Sequence, residues 1–113
     1  MLESYNFLKK DKIIGILSYD TETKRFSFKK ISKNKKDYPL PFFIHTPFND
    51  DVEDDILYNY LEERVIDKNN MGINEVLDML GLSEWNLYDI LKYNNGKTNR
   101  DMFWIDFKHP LKN

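Results

Sequence analysis

Cysteine, alanine and glutamine do not occur in this 113-residue chain, and histidine occurs only twice. Without cysteine there is no disulfide, no thiol nucleophile and no thiolate metal site, and the default compartment is the cytoplasm. His45 and His109 have no second histidine or well-spaced carboxylate nearby in sequence, so neither a common zinc site nor a catalytic triad is expected. No apolar run approaches the roughly 18 residues that cross a bilayer, and Met1-Leu2-Glu3-Ser4 does not read as the start of a signal peptide. A Gly-x-Ser-x-Gly nucleophile elbow is also missing. Gly96-Lys97-Thr98 lacks the glycine that a phosphate loop places five residues earlier, position 91 being Leu. It reads as a helix stop and a polar turn. These absences leave no candidate catalytic residue, cofactor or metal, and the chain is not expected to be an enzyme.

What remains can fill a core. Hydrophobic residues make up 41% and aromatics 15%, which argues against a disordered tail despite 32% charged residues. Seventeen lysines and arginines face nineteen aspartates and glutamates, for a net charge of −2. Lysine greatly outnumbers arginine, which reflects an AT-rich coding sequence rather than chemistry. The length suits one domain over 1–113.

Three strand signals open the chain. Tyr5-Asn6-Phe7-Leu8 alternates and stops at the polar turn Lys9–Lys12. Residues Ile13 to Tyr19 are apolar on both faces and read as a central strand. After the polar loop Asp20–Lys24, Arg25 to Ile31 resumes with Phe26 and Phe28 on one face. A basic loop, Ser32–Lys36, leads to Tyr38-Pro39-Leu40-Pro41, where the prolines disfavour helix, and Phe42-Phe43-Ile44 is expected to add a short edge strand.

The second half reads as helical. Helix one is expected from Val52 to Val65, helix two from Ile73 to Leu80 with Gly81 as its stop, and helix three with Ser83 as N-cap, Leu87, Ile90 and Leu91 inward, and an end near Asn94-Asn95-Gly96. Phe103–Phe107 gives a last strand. The expected fold is α+β: a small antiparallel meander of three to five strands packed on about three helices and closed by a C-terminal strand. In this reading residues 1–48 are strand-rich, 50–96 helical, and 102–107 the terminal strand.

Two clusters invite chemistry and have plainer explanations. Asp50, Asp51, Glu53, Asp54 and Asp55 lack the glycine and closing glutamate of a calcium loop, and they suit the cap and first turn of a helix. The helices around Leu80-Gly81-Leu82-Ser83 suggest a helix-turn-helix regulator. Its second helix carries Glu84 and Asp89 with Lys92 as its one cation, so DNA is a poor partner. Aromatic residues say more. Trp85 stands in a helical row with Tyr88 and Lys92, beside the inward leucines, and Trp104 alternates with Phe103, Ile105 and Phe107. Core packing suits each of them singly, yet Trp and Tyr at a surface are what interface hot spots are made of. Trp85, Tyr88, Lys92 and Trp104 are therefore the candidate partner contacts.

The segments Glu63-Arg64-Val65-Ile66, Gly72–Leu77, Leu80-Gly81-Leu82 and Gly96–Ile105 together resemble the region ahead of the kinase domain in HipA-like proteins of low-GC Gram-positive bacteria. That region has an Arg-x-Ile-Pro turn, a helix, a Leu-Gly-Leu-like break and a Gly-x-Ser-x-x-Asp-x-Tyr/Phe-Trp-Ile strand. Ile14-Gly15-Ile16-Leu17 and Phe26-Ser27-Phe28 are similar to the strands of the small N-terminal subdomain of the same kinases. Asp67 and Asn99 depart from the pattern. The nucleotide loop and the catalytic and metal-binding aspartates have no counterpart, so the resemblance carries over no kinase activity. It implies a free-standing subdomain that binds and neutralises a truncated HipA-like kinase toxin, as an antitoxin or accessory subunit. An inhibitor of a host protein encoded by a phage or mobile element would look the same in sequence.

Overall fold

The structure, a computed structural model, describes residues 1–44, 52 and 54–112. It is an α+β fold in which a four-stranded antiparallel sheet packs one face against helices. The strands are β1 (Leu2–Lys9), β2 (Lys12–Asp20), β3 (Arg25–Lys30) and β4 (Phe103–Ile105), in the order β3-β2-β1-β4. The meander and the terminal strand agree with the sequence reading, except that β1 is longer than Tyr5–Leu8 and β4 shorter than 102–107. The central position expected for β2 also holds.

The helices are α1 (Pro41–Ile44), α2 (Asp54–Glu62), α3 (Ile73–Leu80) and α4 (Leu87–Asn94). The edge strand expected at Phe42–Ile44 is instead the single turn α1. Pro41 is the first residue of that turn, where its fixed φ suits a helix and its missing N–H is not needed. Phe42 is driven fully into the core. Helix α2 is shorter than Val52–Val65, although Val52 is buried just ahead of it. The capping expected of Asp50 or Asp51, like Glu53 and His45, lies outside the described residues; Asp54 and Asp55 do occupy the first turn. Helix α3 has the expected bounds and ends at Gly81, which takes a φ of 73°. Helix α4 is not capped by Ser83. Asn86 caps it, its side-chain oxygen accepting from the Asp89 N–H at 3.1 Å, so Trp85 precedes the helix.

The core forms where the aromatic face of the sheet meets α1, α2 and α4. Phe7, with no exposed surface, sits at its centre, its ring 5.2 Å from that of Phe28 and 6.0 Å from that of Phe42. Leu57 and Leu61 of α2, and Leu87 and Leu91 of α4, close over it. Leu77 of α3 is buried but lies outside this cluster.

Register decides which side chains reach that core. Phe7 pairs with Gly15 and Leu8 with Ile13, so Ile14 is the extra residue of a β-bulge. The bulge turns Ile14 fully inward and leaves Ile13 on the other side, 44% exposed.

Candidate functional site

Arg64 ties the end of α2 to β4. Its guanidinium is almost fully buried. Nε donates to the Gly96 carbonyl at 2.7 Å, Nη1 to the Tyr60 hydroxyl and to Asp101 Oδ2, each at 2.9 Å, and Nη2 to Asp101 Oδ1 at 2.9 Å and the Phe103 carbonyl at 2.8 Å. A planar fork on a carboxylate in a poorly solvated place is the strong form of this interaction. Burial works against the Arg64 charge, but the Asp101 hydrogen bond and its negative charge more than offset that and raise the pKa. Gly96 fits here because it has a φ of 64° and because a Cβ would stand 2.9 Å from Ile105 Cδ1.

The Arg64 hydrogen bond also holds the Asp101 carboxyl below the usual 3.8, and hydrogen bonds from Lys12 and Ser32 do the same for Asp37. A lowered native pKa means stability that is present above the unfolded value and lost as pH falls through the native one. Denaturant titrations from pH 6 downward should therefore show stability falling most steeply below about pH 4. Asp101→Asn should be less stable at pH 7 and show a shallower acid decline. An unchanged slope would mean that Asp101 contributes nothing through its charge.

The four candidate contact residues have different fates. Tyr88 is a correction to the sequence reading, because it is only 5% exposed and does not sit in an outward row. Its ring stacks on Tyr19 at 3.9 Å, and its hydroxyl meets the Tyr5 hydroxyl at 2.5 Å and donates to Glu3 Oε1 at 2.8 Å. Burial, then these hydrogen bonds, push its pKa far above the usual tyrosine value. Trp85 is half-buried, with its indole N–H donating to the Ile66 carbonyl at 2.9 Å. Helical periodicity cannot place it because it lies before α4. Lys92 is exposed and covers the Tyr88 ring, Nζ lying 4.3 Å from the ring centre. Helix α4, the supposed recognition helix, buries four of its eight residues and exposes Asp89, Lys92, Tyr93 and Asn94.

Trp104 lies elsewhere. It pairs with Leu8, which pairs with Ile13, so these three form a row across β4, β1 and β2 on the face away from the helices. The Trp104 indole N–H donates to the Lys10 carbonyl at 2.7 Å, and Lys97 Nζ sits 4.9 Å from its ring. Beyond Leu8 and Ile13 come the pair Asn6–Ile16 and then Ser4, Ser18 and Ser27 side by side on three strands. The Ser4 and Ser18 hydroxyls meet at 2.7 Å. An antiparallel sheet face turned to water ordinarily alternates to charged or strongly polar side chains. Here the face carries leucine, isoleucine, serine and asparagine; Leu8, Ser4 and Ser18 are buried among their neighbours while Ile13 is 44% exposed. Charges stand at Asp20, Arg25 and Lys29, and at Asp106, which lies opposite Asn6 and bonds His109. No described residue of α1 to α4 belongs to this side. The sequence signal is the apolar character of β2 on both faces, which by itself says that the strand is central and not which face lacks a helix.

Two depressions flank these features. One of about 370 Å³ lies between Lys10, Lys97, Thr98 and Trp104. Another, about 620 Å³, lies over the turn after α2 and mixes Glu62, Glu63 and Asp67 with Lys68 and Arg100, so it favours no one class of ligand. Among the described residues no helix is long and apolar enough to cross a membrane.

Fold and site together define an α+β domain with one helix-covered and one open sheet face. No protein-family model matches the chain, and neither the curated proteins nor the solved structures contain a match.

Proposed function

We propose that this chain is a non-enzymatic, cytoplasmic protein-binding module that acts as an antitoxin or accessory subunit of a HipA-like kinase. The observation that carries the binding part is the sheet face without helices, where Ile13, 44% exposed, and the partly exposed Trp104 flank the buried Leu8 and Ile16 stands partly exposed beside them. The kinase part rests on the resemblance in sequence. Two of the segments that carry the resemblance meet in the fold, Arg64 of one bonding Gly96, Asp101 and Phe103 of the other. Of the four contact candidates, Trp104 remains the one placed on this face.

The test is calorimetric titration of the chain into a purified HipA-like kinase from the same genome. Ile13→Asp places an unpaired carboxylate at the β2 end of the row, at an exposed position, so the fold should melt nearly as before. A contact worth about 2 kcal/mol gives a roughly thirtyfold loss of affinity. Absence of binding by the unmodified chain would remove the kinase assignment. Binding untouched by Ile13→Asp and Trp104→Ala would move the site off this face.

A further inference from the structure

The distribution of charge supplies the chemistry of the partner. The chain has a net charge of −2, yet residues 9–12 and 29–36 hold eight lysines against one acidic residue, Asp11. The fold joins these two stretches. Lys9 Nζ donates to the Lys36 carbonyl at 2.9 Å, and Lys12 Nζ to Asp37 Oδ2 at 2.6 Å. One end of the molecule is thus strongly positive, and the rest is correspondingly negative.

The apolar row of the open face lies at that positive end. Lys10 is in the turn that receives the Trp104 indole, Lys97 lies over the Trp104 ring, and Lys29 stands on the face opposite Ile16. All three lysines are exposed. Of the acidic groups nearby, Asp101 is engaged by Arg64, Asp106 beside Trp104 is bonded by His109, and Asp11 stands alone in the turn, while Asp20 is at the other end of the face. A surface of this kind attracts carboxylates over several ångströms and rejects basic partners.

We infer, resting on the protein-binding reading above, that the open face takes an acidic protein segment. Apolar side chains of that segment pack on Ile13, Ile16 and the exposed part of Trp104, and its carboxylates meet Lys10, Lys29 and Lys97. Nucleic acid is the other polyanion, but single strands bind to basic sheets by stacking bases on several exposed rings. On this face Trp104 is the one aromatic side chain among the strand residues, and the rest of the row is aliphatic.

The probes are a short fluorescent peptide alternating leucine with glutamate, its leucine–lysine counterpart, and an oligothymidine of matched charge, each followed by anisotropy with the full chain. The acidic peptide should bind, with the basic one roughly tenfold weaker or worse, and added salt should weaken binding as it screens the exposed charges. Joint substitution of Lys10→Glu, Lys29→Glu and Lys97→Glu should lose roughly tenfold in affinity without a large change in melting, because all three side chains are exposed. Equal binding of the two peptides, no binding of either, or tighter binding of oligothymidine would overturn the inference. The same variants titrated into the kinase separate this inference from the reading beneath it. Sensitivity to Ile13→Asp with indifference to the lysine reversals removes the acidic segment and leaves the open face. Indifference to both removes the open face as well.

Discussion

Arg64→Ala should destabilise the fold by about 3–5 kcal/mol, the range for breaking a buried ion pair from one side. The magnitude follows from what the truncation strands. Asp101 loses both bonds of the fork, the Gly96 and Phe103 carbonyls lose their side-chain donor, and Tyr60 loses its hydroxyl partner. A methyl group in place of the guanidinium also leaves a void between α2 and β4. Arg64→Lys should recover only part of the loss, since one ammonium cannot present the planar fork. The double variant with Asp101→Ala should cost less than the sum of the single ones, because the stranded carboxylate is then gone. Guanidinium titration checks all three. A cost for Arg64→Ala under 1 kcal/mol would mean that water substitutes for the junction.

Gly15→Ala should cost about 3 kcal/mol, at the upper end for overpacking a core. A Cβ at this position would stand 2.3 Å from Phe28 Cζ, 2.7 Å from Phe28 Cε1 and 2.9 Å from the Lys29 carbonyl oxygen. The phenyl ring cannot swing aside freely, because Phe7, Tyr38 and Phe42 surround it, the last at 4.9 Å between ring centres. The carbonyl belongs to the neighbouring strand and cannot move without disturbing the ladder. Phe28→Leu should relieve the ring contact, so Gly15→Ala in that background should cost clearly less than in the parent. If the two costs simply add, the clash is with the backbone alone.

Much of the fold was legible along the chain because its signals are local. The alternation of Phe26 and Phe28, the polar turns at 9–12 and 20–24, and the one-sided face of Ile73–Leu80 stopped by Gly81 each depend on a few neighbouring residues. The misread places depend on distant ones. Phe42 belongs to a helical turn because the core has room for its ring between Phe28 and Tyr60. Tyr88 is inward because Tyr19 and Tyr5, far away in sequence, offer it a stacking surface and a hydroxyl.

The candidate site divides in the same way. The sequence by itself determined an α+β chain with no cysteine, a lysine-rich segment after the second hairpin strand, and a central strand apolar on both sides. Only the tertiary structure decided that one of those sides is left without a helix, because the bulge at Ile14 reverses Ile13 and α1, α2 and α4 gather on the face of Phe7. It also decided that Trp104, rather than the Trp85–Tyr88 row, lies beside Leu8, and that Arg64 closes on Asp101. Periodicity fixes which residues share a side of one element. Which side is covered depends on pairing register and on contacts across the whole chain, where burial free energy rather than local propensity sets the choice.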